Sequence, residues 1–374
     1  MNIAIVCYPT FGGSGVVATE LGLYLARKGY QIHFITYSQP ARLAFFNRNI
    51  HFHEVYVEEY PLFRYQPYEL ALSSKLVEIV LEYNIDIIHA HYAIPHAYAA
   101  YMAKQILKEK GKNVSIITTL HGTDITLVGN HPYYKTAVNF SINASDAVTS
   151  VSESLKKDTL HFFDINKDIQ VIPNFINLRP KNSISECKRY MIANDDEFII
   201  MHISNFRKVK RVEDVVYVFQ KILKHKKAKL VMVGDGPERE PAQRLCQELG
   251  ILENALFLGN CLDINEILCT ADLFILPSES ESFGLAALEA MAAGVPVISS
   301  NAGGLSEVNK YGFSGFLSDI GDINNMVENA LLILESPYIL NKFKKQAFEQ
   351  ATLFDENKII PLYEKLYQKV LNLE

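Results

Sequence analysis

The amino-acid sequence predicts an α/β chain of two successive doubly wound domains, each a parallel sheet covered by helices on both faces. Three observations carry this reading. Short β-branched runs alternate with helix-length amphipathic segments, the pattern that leads parallel strands through helical crossovers. The alternation lapses around 173–196, where Pro173, Asn174, Pro180, Asn182 and the run Asn194-Asp195-Asp196 mark a connector, and then it resumes. The length of 374 residues suits two domains, each with its own hydrophobic core.

In the first domain the strands are expected at 2–8, 31–37, 50–57, 85–90, 114–119, 147–151 and 169–172. The first, Asn2 to Tyr8, is an almost unbroken apolar run, as a strand buried on both faces requires. Helices are expected at 14–28, 68–83, 94–109, 132–144 and 152–161; in the first, Val17, Leu21, Tyr24, Leu25 and Lys28 recur at three-to-four spacing. After the connector come strands at 198–204, 229–234, 255–258, 272–276, 295–299 and 315–317. Helices at 212–224, 238–249, 284–293 and 322–335 interleave with them. A further amphipathic helix, 355–372, follows a break at Thr352–Phe354. A cleft is expected between the domains.

Composition narrows the function. Apolar residues make up 49% and charged residues 21%, ordinary for a globular protein. The net charge of −6 gives no electrostatic footprint for nucleic acid. Five cysteines, odd in number and never spaced CxxC, argue against a disulfide framework and a zinc ribbon, and Cys7 reads as a small core residue. No run of about 18 uncharged apolar residues occurs, so no membrane span is expected. The first residues form a strand rather than a signal peptide, so the expected location is cytoplasmic.

Three stretches carry candidate chemistry. Gly12-Gly13-Ser14-Gly15 follows strand one and opens a helix, and Gly13-x-Gly15-x-x-Ala18 formally matches a dinucleotide fingerprint. The loop from Pro9 delays the glycines, however, and strand two ends in Thr36-Tyr37-Ser38-Gln39, with no acidic residue for a ribose hydroxyl. What remains is a close backbone approach and a helix N-terminus suited to an anion, or a plain strand–helix turn. In the second domain, Pro277 to Gly284 leads into the helix Leu285–Ala293. If both were helical, Glu281 and Glu289 would lie about 12 Å apart, far enough to touch two parts of one extended ligand but not one atom. Glu289 sits among small apolar residues and needs a hydroxyl or cationic partner. The third stretch, Ser204 to Arg211, places Arg207, Lys208, Lys210 and Arg211 after a strand, as a diphosphate clamp or a solvated charge run. The turns at Gly234–Gly236 and Gly303–Gly304 fall on the same sheet edge. His89 and His91 share a strand face, with His96 close by; with no carboxylate or cysteine near in sequence, they read as hydrogen-bonded rather than metal-binding.

The segment SESESFGLAALEAMAAGVPVI, with SNFRKVKR and VGDGPE before it and GG-x-x-EV after it, resembles the retaining GT-B glycosyltransferases of family 4. Over almost the whole chain, CYPTFGGSGVVATELG, HFITYSQPARL, HAHYAIPHA and TTLHGTDIT are similar to a narrower family, the N-acetyl-α-D-glucosaminyl L-malate synthases that open bacillithiol biosynthesis. The resemblance implies a GT-B fold with two Rossmann-like domains facing a central cleft. An acceptor-binding domain would comprise 1–174 plus 356–374 and a UDP-sugar domain 175–355, with hinges near 174–196 and 352–356.

It also implies transfer of N-acetylglucosamine from UDP-GlcNAc to the hydroxyl of L-malate by a front-face reaction without a metal or other cofactor, in a homodimer. The chain accordingly carries no DxD. Carried over by motif, His121, Glu281 and Lys210 belong to the catalytic group, and Arg207 is expected to take the charge role of the arginine that Asn205 replaces. The donor would be held by Gly13, Ser14, Gly15, Asn205, Arg207, Lys210, Gly234, Leu258, Glu281, Ser282, Phe283, Gly284, Leu285 and Glu289, with Gly303, Gly304 and Glu307 near the nucleotide. The acceptor would meet Ser14, Gly15, Arg64, Tyr92, Thr119, Lys135 and Asn139. Two positions depart from the family: Asn205 and Asn139 stand where arginine is usual. A related transferase with another acceptor, such as an inositol phosphate or a lipid-linked sugar, stays open, as does a non-catalytic sugar-nucleotide binder.

Overall fold

The computed structural model describes all residues except 11, 44–46, 60–62, 130, 179–186, 262–263 and 373–374, so Pro180 and Asn182 of the connector lie outside the described residues. The chain divides into two compact units, Met1–Asn174 with Ile359–Glu374, and Phe175–Lys358.

In the first unit seven strands run β1 (Asn2–Val6), β2 (Gln31–Thr36), β3 (Ile50–Glu54), β4 (Ile87–His91), β5 (Ser115–Leu120), β6 (Ala147–Ser150) and β7 (Ile169–Val171). They are ordered β3-β2-β1-β4-β5-β6-β7, with every pairing parallel. Ile3 pairs with Ile32 on one side and Ile87 on the other, and Ile3–Val6 are wholly buried, as a central strand covered on both faces must be. The helices are α1 (Gly13–Arg27), α2 (Tyr68–Tyr83), α3 (Tyr98–Glu109), α4 (Pro132–Ala144) and α5 (Glu153–Phe162). The helix expected from 94 begins at Tyr98 instead, because Ile94 is extended (φ −131°, ψ 142°) and the chain turns over 93–97 before it winds.

The second unit has six strands, β8 (Phe198–Ile203), β9 (Ala228–Val233), β10 (Ala255–Gly259), β11 (Leu273–Leu276), β12 (Val297–Ser300) and β13 (Gly315–Ser318). Their order is β10-β9-β8-β11-β12-β13, again all parallel. Its helices are α6 (Val212–Ile222), α7 (Arg239–Glu248), α8 (Asn265–Leu268), α9 (Leu285–Ala292), α10 (Leu305–Val308), α11 (Ile323–Ile333) and α12 (Pro337–Ala351). The helix α13 (Glu356–Val370) carries the chain back into the first unit, where Ile360, Tyr363 and Tyr367 are buried.

Two features depart from the sequence reading. Helix α12 was not expected; its buried positions Leu340, Phe343, Ala347 and Gln350 recur at helical spacing, and Ser336 caps it by accepting the Ile339 N–H at 3.3 Å. Cys187 and Cys269 form a disulfide with Cα atoms 6.0 Å apart. A pair 82 residues apart leaves no spacing pattern to read.

The sheet and α1 meet through a glycine. A Cβ on Gly22 would stand 2.4 Å from Phe34 Cζ and 3.0 Å from Ile5 Cδ1, inside a packed core. The substitution Gly22→Val should lower unfolding stability by about 2 kcal/mol or more through overpacking, read as a lower urea midpoint with an unchanged slope.

Candidate active site

In the second unit the basic loop is held by a chain that starts inside the sheet. His202 is fully buried; its Nδ1 donates to the Ile275 carbonyl at 2.9 Å, so its Nε2 accepts from Ser204 Oγ at 2.8 Å. Ser204 Oγ in turn accepts the Phe206 N–H at 3.3 Å. The loop lies directly over the next strand's turn. A Cβ on Gly234 (φ 121°) would stand 1.8 Å from the Ser204 oxygen, and one on Gly236 (φ 154°) 2.2 Å from the Asn205 oxygen. No side chain fits either position.

Lys208–Lys210 then make one tight turn, and its Val209 carbonyl accepts the Glu279 N–H at 2.8 Å. This joins the basic loop to the segment that precedes α9. Lys210 Nζ reaches Glu281 Oε1 at 2.5 Å, and Ser278 Oγ donates to the same oxygen at 3.0 Å. Among the described residues Glu281 Oε2 has no hydrogen-bond partner. Arg211 turns away to Asp214 at 2.6 Å, whereas Arg207 and Asn205 are exposed and Arg207 has no ion-pair partner among the described residues.

Glu281 lies in the loop before α9, so the helical spacing to Glu289 does not apply. Glu289 is buried on α9 itself, beside Leu288 and Ala290. Gly284 (φ 96°) starts that helix, with Leu285 half-buried after it. The glycine pair packs beneath: a Cβ on Gly303 would stand 2.1 Å from the Glu281 oxygen, and one on Gly304 2.4 Å from the Ser282 oxygen. The Gly304 N–H donates to the Glu281 carbonyl at 2.8 Å. Two expected donor residues also make contacts within the fold here. The Phe283 ring is buried edge-on against Phe354 at 5.6 Å, and the Gly234 N–H is taken by the Gly259 carbonyl at 2.8 Å. Leu258 is exposed on β10, the edge strand.

In the first unit, Gly12 caps α1, Gly13 is exposed and Ser14 half-buried. A Cβ on Gly15 would lie 2.5 Å from both the Tyr8 and Thr10 oxygens, so the helix end sits hard against the turn leaving β1. Tyr92 OH donates to Ser14 Oγ at 2.8 Å. Tyr92 has φ 94°, a rare conformation for a side chain, and its N–H is held by the Thr119 carbonyl at 2.9 Å. His121 Nε2 lies 2.9 Å from His91 Nδ1, and its Nδ1 has no partner among the described residues. The Tyr92 and His121 rings are 5.2 Å apart. Ser14, Tyr92 and His121 are therefore one cluster.

The other acceptor candidates stand differently. Thr119 is fully buried, and its hydroxyl joins His89 Nε2 and Thr149 Oγ1, both at 2.7 Å, so it holds the sheet edge and is not free for a ligand. Arg64 is exposed with its guanidinium 5.6 Å from the Tyr65 ring, and Lys135 is exposed with its ammonium 5.9 Å from the Phe163 ring. Asn139 is half-buried, and its Oδ1 has no hydrogen-bond partner among the described residues. Among the described residues no group of three His, Cys, Asp or Glu is placed to hold a metal ion.

The chain is similar to known proteins in sequence and in fold. The family described as Glycosyltransferase Family 4 matches residues 11–179, and Glycosyl transferases group 1 matches 186–350. The N-acetyl-alpha-D-glucosaminyl L-malate synthase of Bacillus anthracis is 46% identical, covering 99% of this chain and 97% of that protein. The chain is a family 4 glycosyltransferase. It is a retaining enzyme of the GT-B type. An uncharacterized glycosyltransferase of Methanocaldococcus jannaschii is 29% identical over 94% of each chain. The glycosyltransferase shares its fold with the sucrose-phosphate synthase of Thermosynechococcus elongatus (TM-score 0.83, 20% identity, 100% of both chains). It also shares it with Anabaena HepE in complex with UDP-glucose (TM-score 0.80, 19% identity, 99% of this chain and 100% of that one). Among the described residues no helix of the enzyme is long and apolar enough to cross a membrane.

The sequence reading missed several residues that position this glycosyltransferase's side chains. Asp124, buried, gathers the N–H groups of Ala93 (2.9 Å), Gly122 (3.0 Å) and His121 (3.3 Å), tying together the turns after β4 and β5. Burial pushes its carboxyl up to about 6 against those N–H groups. Its signal was its place in LHGTD, three residues after His121. His202, Ser204 and Ser278 do similar work.

Burial also disfavours the charged form of seven histidines of the enzyme, His53 included. His33, His89 and His121 are lowered to about 3, His96 and His202 to about 4, and His91 well below its ordinary value. A histidine with a lowered folded pKa contributes stability that is complete above about 6.5 and is lost as pH falls toward the folded value. Asp124, with a raised pKa, acts in the opposite sense below about 6. The lowered histidines, His53 among them, outnumber the one raised carboxyl, so unfolding takes up protons and stability falls as pH drops below about 6.5. Circular dichroism should show cooperative acid unfolding between about pH 6 and 4.5, and His202→Gln should move the midpoint downward if the variant folds.

Proposed function

We propose that the enzyme transfers N-acetylglucosamine from UDP-GlcNAc to the hydroxyl of L-malate, keeping the α configuration and using no metal ion. The observation that carries this reading is the 46% identity, over 99% of the chain, to a protein named for that product. The site chemistry supports it. Lys210 and Arg207 are the cations for the diphosphate, Glu281 Oε2 accepts from a sugar hydroxyl, and Glu289 accepts from the ribose. Ser282, Gly284 and Leu285 at the start of α9 add backbone N–H groups, and Asn205 and Leu258 complete the nucleotide contacts.

Malate is a small dianion and is best met by N–H groups and hydroxyls together with a cation. The α1 start at Gly13–Gly15, with Ser14 and Tyr92, offers the first two. Arg64 and Lys135 are the candidate cations, with Asn139 as a hydroxyl partner. In the front-face reaction the malate hydroxyl attacks the anomeric carbon from the side on which UDP leaves, through an oxocarbenium-like state, and its proton passes to the departing phosphate oxygen. The protein's part is positioning and charge stabilisation: Lys210 and Arg207 on the leaving diphosphate, His121 Nδ1 at the sugar's reacting side. A homodimer is the proposed assembly.

The deciding assay mixes UDP-GlcNAc with and without L-malate in EDTA and follows both UDP and product mass. Malate-dependent UDP release with a GlcNAc-malate mass is expected; donor binding without malate-dependent release would remove the acceptor assignment. Lys210→Ala should reduce kcat by about a hundredfold or more, the loss typical of a group that stabilises developing charge. Arg207→Ala should weaken turnover as well, whereas Thr119→Val should leave the KM for malate unchanged.

A further inference from the structure

We propose that Cys187 and Cys269 are a reversible thiol–disulfide pair that external low-molecular-weight disulfides close and the corresponding thiols reopen, fastening residues 187–191 to the turn before β11. The two positions are bonded in the structure, with Cα atoms at 6.0 Å, inside the usual disulfide range. Cys187 is exposed and Cys269 half-buried, so small reagents reach the pair from solvent.

A non-covalent anchor holds the same two segments together in either redox state. Arg189, two residues after Cys187, donates to the carbonyl of Thr270, the residue after Cys269, at 2.8 Å. It also pairs with Asp272 at 2.8 Å and donates to the Glu197 carbonyl at 2.5 Å. Asp272 is itself fixed by the Ile199 N–H at 3.0 Å and Lys344 at 2.7 Å. Arg189 therefore keeps the two sulfurs adjacent after reduction, and closure is an intramolecular step at high effective concentration. The remaining cysteines do not compete. Cys7 and Cys246 are fully buried, with thiols pushed up to about 12 and about 11, and the half-buried Cys261 is also raised.

The chemistry balances. The Cys187 thiolate attacks an external disulfide, forming a mixed disulfide and releasing one thiolate. The Cys269 thiolate then attacks the Cys187 sulfur, closing the protein bond and releasing the second. Two protein thiols lose two electrons, one external disulfide gains them, and the two thiol protons leave with the two released thiols. The bond spans 82 residues of the second unit, and cross-links over long loops stabilise by restricting the unfolded chain.

The test uses the full-length protein, reduced and then equilibrated with oxidised glutathione, with thiols counted in denaturant, peptides mapped without reduction, and melting followed. The thiol count should fall from five to three, the Cys187–Cys269 peptide should be present, and the melting temperature should rise by roughly 5 °C or more. Cys187→Ser and Cys269→Ser should each abolish the rise. Arg189→Gln should slow closure several-fold; an unchanged rate would overturn the anchoring role. Retention of all five thiols, glutathione adducts without the internal link, or a link through Cys261 would overturn the proposal. None of these readouts depends on the substrate assignment.

Discussion

Every strand pairing in both sheets is parallel, and the site depends on that one constraint. Parallel neighbours need a crossover, usually a helix, that leaves each strand at its carboxyl end, so within each unit the turns that carry chemistry open on one sheet edge. In the first unit these are the turns after β1, β4 and β5, which supply Ser14, Tyr92 and His121. In the second they are the turns after β8, β9, β11 and β12, which supply the basic loop, the paired glycines and Glu281, with Glu289 on the helix that follows Glu281.

Within the second unit, backbone packing rather than side-chain reach sets the spacing. Glycines at 234, 236, 303 and 304 let one turn rest on the oxygens of another, and the ladder of His202, Ser204 and Ser278 fixes the turns' orientation from beneath. The Lys210–Glu281 contact is the product. It uses one carboxylate oxygen to aim the ammonium and leaves the other for a ligand, so a donor would meet a cation and an acceptor whose separation is already set. The first unit uses a different device for the same end. Asp124 draws three N–H groups from two turns around one buried carboxylate, and the histidines beside it stay neutral.

Most of this was legible in the sequence where the signal is local. Strand and helix positions, the basic loop, Glu281, Glu289 and His121 all announce themselves by periodicity or short motifs. What was not legible involves partners far apart in the chain. His202 with Ile275, Ser204 with the glycines after β9, and Cys187 with Cys269 are separated by about 30 to 80 residues and leave no spacing to read. Thr119 shows another limit: a motif position places a residue at the right edge of the sheet, but the pairing with His89 and Thr149 decides where its hydroxyl is spent. Helix α12 escaped because its buried stripe is broken by charge and ends in Gln350, although Ser336-Pro337 marked its start.

Helix α13 places Tyr363 and Tyr367 among the largest buried side chains of the first unit, with Tyr367 OH 2.8 Å from His89 Nδ1. That unit is therefore not one continuous stretch of polypeptide. During synthesis residues 1–174 are made first yet lack the pieces that fill the underside of β4 until 359–372 have emerged. The second unit, contiguous from 175 to 358, has no such wait. Contacts that span nearly the whole chain are slow to form and leave apolar surface bare meanwhile. The last residues to be made therefore complete the core of the first unit, after the whole of the second has been synthesised.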